Sequence, residues 1–217
     1  SRGLGDVYKR QQNGKMSGEC ADFTSFSFHA VKNFTTAEGG GLVWRPVPGV
    51  DDEEIYHNLM LLTLHGQSKD ALAKTKLGAW EYDIKGLYYK CNMTDILAAV
   101  GLVQQRRYKS LLARRKEIIE RYDEWIKDDD IMTLKHFDGG NISSGHLYLV
   151  RVLPYDEEKR NSLITAMAEA GIATNVHFKP LPMHTAYKNL GFDIKDFPNS
   201  YAVSYTHLRA HETEADL

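Results

Sequence analysis

The sequence predicts an α/β chain built in two pieces joined by a long helix, and three observations carry that prediction. Ser25 to His29 alternates apolar and polar residues with the period of a strand. From Asp95 to Lys127 apolar residues return at helical spacing. Beyond Asn141 a strand, a helix and a second strand follow one another, the order of a helix packed on a small sheet. The first piece should hold residues 12–127, including the connecting helix, and the second, a smaller α+β unit, residues 128–202.

In Ser25 to His29, Phe26 and Phe28 fall on one side and Ser25, Ser27 and His29 on the other. Leu42 to Trp44 reads as a second short strand, and Gly39, Gly40 and Gly41 allow a tight return between the two. Residues 46–56 form a loop leading into a helix that begins near Asp51 or Asp52, where acidic residues suit the positive end of the helix dipole. Thr94 is placed to cap the long helix through its hydroxyl, and Asp128 to Asp130 should end it, being unfavourable at a helix C-terminus. Asp138 to Asn141 marks a turn. His146 to Leu153 is a strand stopped by Pro154, Glu157 to Ala170 a helix closed by Gly171, and Ile172 to Phe178 the next strand.

The 217 residues, 42% hydrophobic and 26% charged, suffice for a core, and the formal net charge of −2 gives no global attraction to nucleic acid or to an anionic membrane. The basic run from Arg106 to Lys116 is interleaved with apolar positions and reads as a solvated helix face. No apolar run approaches the roughly 20 residues of a membrane helix. Cys20 and Cys91 fit neither a disulfide framework nor a metal spacing, so a reducing, cytoplasmic setting is expected. Residues 1–11 and 203–217 resemble translated sequencing adapters and are expected to be disordered or a helix without a partner; the spacing of His207, His211 and Glu212 is therefore not read as a metal site.

Lys32 follows the first strand, with Ser27 and His29 before it and Asn33, Thr35, Thr36 and Glu38 after it. A neutral lysine amine condenses with carbonyl compounds, and desolvation or a nearby cation makes the neutral form accessible. Taken alone, such a pattern more often marks a surface lysine in a turn.

The run Ala21 to Asn33, with Ser25-Phe26-Ser27-Phe28-His29 and then Lys32-Asn33, resembles the cofactor-lysine motif of the DegT/DnrJ family of sugar-nucleotide aminotransferases. Glu38-Gly39-Gly40, His65-Gly66, Asn92-Met93-Thr94-Asp95 ahead of Ala98 to Leu102, and Val176-His177-Phe178 before Pro180-Leu181 continue the likeness in order. The resemblance implies the later part of a pyridoxal-phosphate type I large domain plus most of the small domain. It also implies a homodimeric parent enzyme that moves an amino group, from glutamate, to a nucleotide-linked keto-sugar for polysaccharide or glycan synthesis. Lys32 would hold pyridoxal phosphate covalently and shuttle the proton, Ser27 would bind its phosphate, Asn92 would reach the phosphate in the neighbouring subunit, and His177 would lie near substrate. From the residues alone, Ser27 fits an ordinary strand serine, Asn92 a capping-loop asparagine and His177 a buried structural histidine.

The family also carries an upstream aspartate that pairs with the pyridine nitrogen. Asp6 lacks the surrounding motif, so the role is not assigned to it, and a fragment lacking the front of the large domain is expected. Two other readings stand beside the aminotransferase: a partial domain that is itself not catalytic, and a related sugar dehydratase. The family's dehydratases carry histidine in place of the lysine, so Lys32 argues against the latter.

Overall fold

A computed structural model describes residues 11–68, 81–153 and 156–210 and gives a mixed α/β chain in two compact units, Ser1–Arg107 and Tyr108–Leu217. In the first unit β1 (Gln11–Gln12) and β2 (Lys15–Met16) make a short antiparallel pair. β3 (Phe23–Ser27) and β4 (Gly40–Trp44) form an antiparallel hairpin with Phe23 opposite Trp44 and Ser27 opposite Gly40. α1 (Asp52–Thr63) starts where the acidic run predicts, capped by Asp51, whose carboxylate accepts from the Glu53 amide at 3.3 Å. The indole Nε1 of Trp44 donates to Asp52 Oδ1 at 3.2 Å and ties the end of β4 to the start of α1.

α2 (Asp95–Trp125) is one unbroken helix of 31 residues, and the division into units falls within it, not after it. The Thr94 hydroxyl accepts from the Leu97 amide at 3.4 Å, as the sequence leads one to expect of a cap.

The second unit centres on four antiparallel strands in the order β5 (Ile131–Thr133), β8 (Leu149–Val152), β10 (His207–Ala210), β9 (Thr174–Val176). A separate hairpin, β6 (Phe137–Asp138) with β7 (Asn141–Ile142), occupies the predicted turn, with Asp138 Oδ1 accepting from the Asn141 amide at 3.1 Å. α3 (Glu157–Glu169) is capped by Asp156, which accepts from the Lys159 amide at 2.9 Å. It ends as Gly171 suggests: Gly171 takes φ 79°, and Ile172 N reaches back to Met167 O at 2.8 Å. After the short α4 (Thr185–Lys188), α5 (Pro198–Thr206) is tied to α3 by Arg160, a buried guanidinium that donates to the Ser204 carbonyl and, at 2.7 Å, to Asn161 Oδ1.

One expectation fails here. Residues 203–210 are not a partnerless tail: they finish α5 and supply β10, which lies between β8 and β9. The physical reason is that β8 and β9 each present a row of backbone donors and acceptors toward the gap, and His207-Leu208 alternates so that Leu208, opposite Val150 of β8 and Val176 of β9, is 4% exposed. Residues 1–10, His211 and Glu212 lie outside the described residues. Among the described residues no His, Cys, Asp and Glu cluster could hold a metal, and no helix is long and apolar enough to cross a membrane.

A buried polar chain fixes α2 to this unit. Tyr148 donates to Asp123 Oδ1 at 2.7 Å, its ring stacks on His136 with centroids 5.5 Å apart, and His136 Nδ1 meets Ser143 Oγ at 3.0 Å. Burial and the Asp123 bond raise the Tyr148 pKa, so Tyr148 remains a donor. Burial pushes His136 below its ordinary 6.5, with Asp123 opposing. The folded state therefore holds His136 neutral while the unfolded chain takes up a proton, and the associated stability, present above about 6.5, is lost as pH falls through that value toward the lowered folded one. Urea unfolding between pH 7.5 and 5 should show stability falling with pH, and the fall should be smaller in His136→Gln; equal slopes would contradict this. Tyr148→Phe should cost about 1–3 kcal/mol by leaving Asp123 without its donor, measured the same way at pH 7.5.

Candidate active site

The loop between β3 and β4 is drawn back onto the strand by one residue. The sequence extends the strand to His29, but the ladder ends at Ser27 because Phe28 turns its backbone elsewhere. Its N–H donates to Gly39 O at 2.9 Å, and its carbonyl accepts both the Thr36 amide at 2.9 Å and the Thr35 hydroxyl at 3.1 Å. Thr36, 1% exposed, bonds Glu38 O at 2.8 Å, and Asn33 of the same loop is also buried. The glycines are required by close approach: a Cβ at Gly40 would stand 2.8 Å from the Phe26 carbonyl, and one at Gly39, where φ is 151°, would stand 2.5 Å from Thr36 Oγ1.

Lys32 rides on this frame. Its amide donates to His29 O at 2.9 Å, fixing the turn, while the side chain is half-buried. Among the described residues no hydrogen bond or ion pair engages its ammonium. Ser27 closes β3, half-buried, with its hydroxyl accepting only weakly from the His29 amide at 3.5 Å. His29 Nε2 and Glu38 Oε1 lie 3.6 Å apart across the same loop, an ion pair when His29 is protonated.

Asn92 stands just before α2, and that helix is seated on the lysine loop. Gly101 lets it approach: a Cβ there would lie 3.0 Å from Thr36 Cγ2 and 3.8 Å from the Phe34 ring. Met93, next to Asn92, packs against Gly39, its Cε 2.8 Å from where a Cβ would be. Ser27, Lys32 and Asn92 are thus carried by elements that touch within one unit. His177 belongs to the second unit, half-buried just past the end of β9, with its ring 4.6 Å from that of Phe178.

Sequence reasoning placed Asn33 and Thr36 near the lysine only as polar neighbours; the structure shows them as the buried frame. It missed Lys90, whose ammonium donates to Asn92 Oδ1. The signal was there: a lysine and an asparagine two apart, just ahead of a helix cap.

The lysine loop suits a small anionic carbonyl compound: a half-buried lysine, unengaged among the described residues, for the carbonyl, with a strand-end hydroxyl on the adjoining element for the anion. Known proteins agree with that chemistry. The profile described as the DegT/DnrJ/EryC1/StrS aminotransferase family matches residues 4–214. The spore coat polysaccharide biosynthesis protein SpsC of Bacillus subtilis is 39% identical over 86% of this chain and 47% of its own length. A UDP-4-amino-4,6-dideoxy-N-acetyl-beta-L-altrosamine transaminase of Campylobacter jejuni is 35% identical over 90% and 47%. Among solved structures, a candidate sugar aminotransferase of Streptococcus pneumoniae, Spr1654, superposes in its PMP-form with a TM-score of 0.89 at 54% identity, over 95% of this chain and 52% of that one; its PLP-form gives 0.87 at 50%, over 95% and 50%. The chain spans about half the length of the relatives it matches.

Gly101→Leu tests the seating of α2. Leucine gains up to about 1 kcal/mol in helix propensity, but overpacking against Thr36 costs about 1–3 kcal/mol, so urea unfolding should show net destabilisation. The exposed Ala98→Leu in the same helix should stay within about 0.5 kcal/mol of the parent; equal effects at the two positions would contradict the contact.

Proposed function

The chain belongs to the DegT/DnrJ/EryC1/StrS aminotransferase family, and from that membership we propose that it is part of a pyridoxal-phosphate-dependent enzyme that aminates a nucleotide-linked keto-sugar for polysaccharide or glycan synthesis. In this reading it comprises the later part of the large domain, the connecting helix and most of the small domain of a homodimeric cytoplasmic enzyme, with glutamate as amino donor. The SpsC and altrosamine transaminase relatives support the substrate class, and the PLP-form and PMP-form structures support the cofactor.

When bound, pyridoxal phosphate supplies an electron sink for transfer of the amino group. The chain's own contribution follows from its geometry. Lys32 is the residue that would join the cofactor and, once displaced by the amino donor, carry the proton at Nζ; a half-buried lysine with no competing partner among the described residues suits both tasks. The Ser27 hydroxyl, at the end of a strand pinned by Phe28 and Gly40, would donate to the phosphate. The Asn92 carboxamide would do so toward the neighbouring subunit's site, and His177 would lie beside the sugar. The single observation that carries this reading is Lys32 itself, held by its backbone on the β3–β4 loop with its amine unengaged among the described residues.

Borohydride reduction of the full chain with pyridoxal phosphate, followed by peptide mass mapping, should place one adduct on Lys32, and Lys32→Ala should remove it without lowering the melting temperature by more than a few degrees. An adduct at another lysine, or an undiminished adduct in Lys32→Ala, would refute the assignment.

A further inference from the structure

We propose that Lys90 is a positioning residue for phosphate recognition: it holds the side-chain oxygen of Asn92 so that the amide nitrogen is the group presented to the anion. The inference rests on the reading of Asn92 given above.

The backbone around Lys90 is fastened on both sides. His65 N donates to Tyr89 O at 2.7 Å, Cys91 N donates to Thr63 O at 2.8 Å, and Lys90 itself bridges Leu64. From this fixed base its ammonium reaches two residues on to Asn92 Oδ1. The two ends of an asparagine amide are nearly alike in shape, so a solvent-facing asparagine can present either a carbonyl oxygen or an NH2 group. An ammonium has donors and no acceptor. Only the oxygen can face Lys90, which leaves the NH2 end pointing away from it. That nitrogen makes one long contact, 3.4 Å to Met93 O, and has a second hydrogen to give.

Charge reinforces geometry. Asp95, in the first turn of α2, offsets the attraction that the helix end would otherwise offer an anion. The Lys90 ammonium polarises the amide it holds, strengthening the nitrogen as a donor. The specificity implied is for a phosphate-bearing ligand over its uncharged counterpart, with no effect on the carbonyl chemistry at Lys32.

The test uses the full chain and two probes, pyridoxal phosphate and pyridoxal, the second lacking the phosphate. Lys90→Met should weaken pyridoxal phosphate roughly tenfold, the size of one oriented charge-assisted hydrogen bond, and leave pyridoxal unchanged. Lys90→Arg, which also only donates, should retain most of the phosphate preference. The double variant Lys90→Met with Asn92→Ala should bind no more weakly than Asn92→Ala alone, because Lys90 acts through Asn92. Lys90→Met affecting both probes equally, or neither, would overturn the proposal, as would additive effects in the double variant. Failure of the parent chain to bind either probe at Lys32 would instead refute the functional reading, and this inference with it.

Discussion

The backbone of Phe28 is the point on which the candidate site depends. One residue past the last rung of β3, its N–H is taken by Gly39 and its carbonyl by Thr36 and Thr35, so the whole segment from His29 to Glu38 is closed into a compact loop. Backbone groups buried without partners would be expensive, and this closure satisfies them with residues of the loop itself. Lys32 is consequently carried on a turn closed by backbone hydrogen bonds. Thr36 couples the loop to the next element: its hydroxyl holds Glu38, while its methyl lies where only a glycine, Gly101, lets α2 come near. The loop that bears the amine and the helix end that bears Asn92 are thus parts of one packed arrangement.

The second unit solves a different problem. Its sheet is antiparallel throughout and short-stranded, and its inner strands, β8 and β10, which carry the buried Val152 and Leu208, need neighbours on both sides. β10 provides them at the centre, and the Tyr148, Asp123, His136 and Ser143 chain anchors the later part of α2 against the unit. A buried polar network of this kind is stable while each member keeps its protonation state, which makes His136 the natural source of acid sensitivity. Arg160 does the corresponding work between α3 and α5, satisfying carbonyl and carboxamide acceptors with a buried guanidinium.

Much of this was legible in the residues. Caps at Asp51 and Thr94, the acidic start of α1, the helical repeat of α2 and the Gly171 stop of α3 are local signals, and each appears where its chemistry placed it. The lysine loop was legible as a motif, because Ser27, Lys32, Glu38 and the glycines stand at fixed spacings. What the sequence hid depends on long-range pairing. Strand ends at Ser27 and Val176 are set by where partners stop, not by alternation. The use of His207–Ala210 as a central strand follows from two waiting edges that no local pattern reveals. The division of the chain within α2 is likewise a property of packing, which helical spacing does not reveal.

The proposed role of the β3–β4 loop is to hold one amine where a phosphate-bearing carbonyl compound can meet it. A crystal structure of the chain grown with pyridoxal phosphate tests it most directly. Electron density should be continuous with Lys32 Nζ, and a phosphate should lie within hydrogen-bonding distance of Ser27 Oγ, with the Phe28 and Thr36 bonds unchanged. Density joined to any other lysine, or a phosphate bound away from the end of β3, would contradict it.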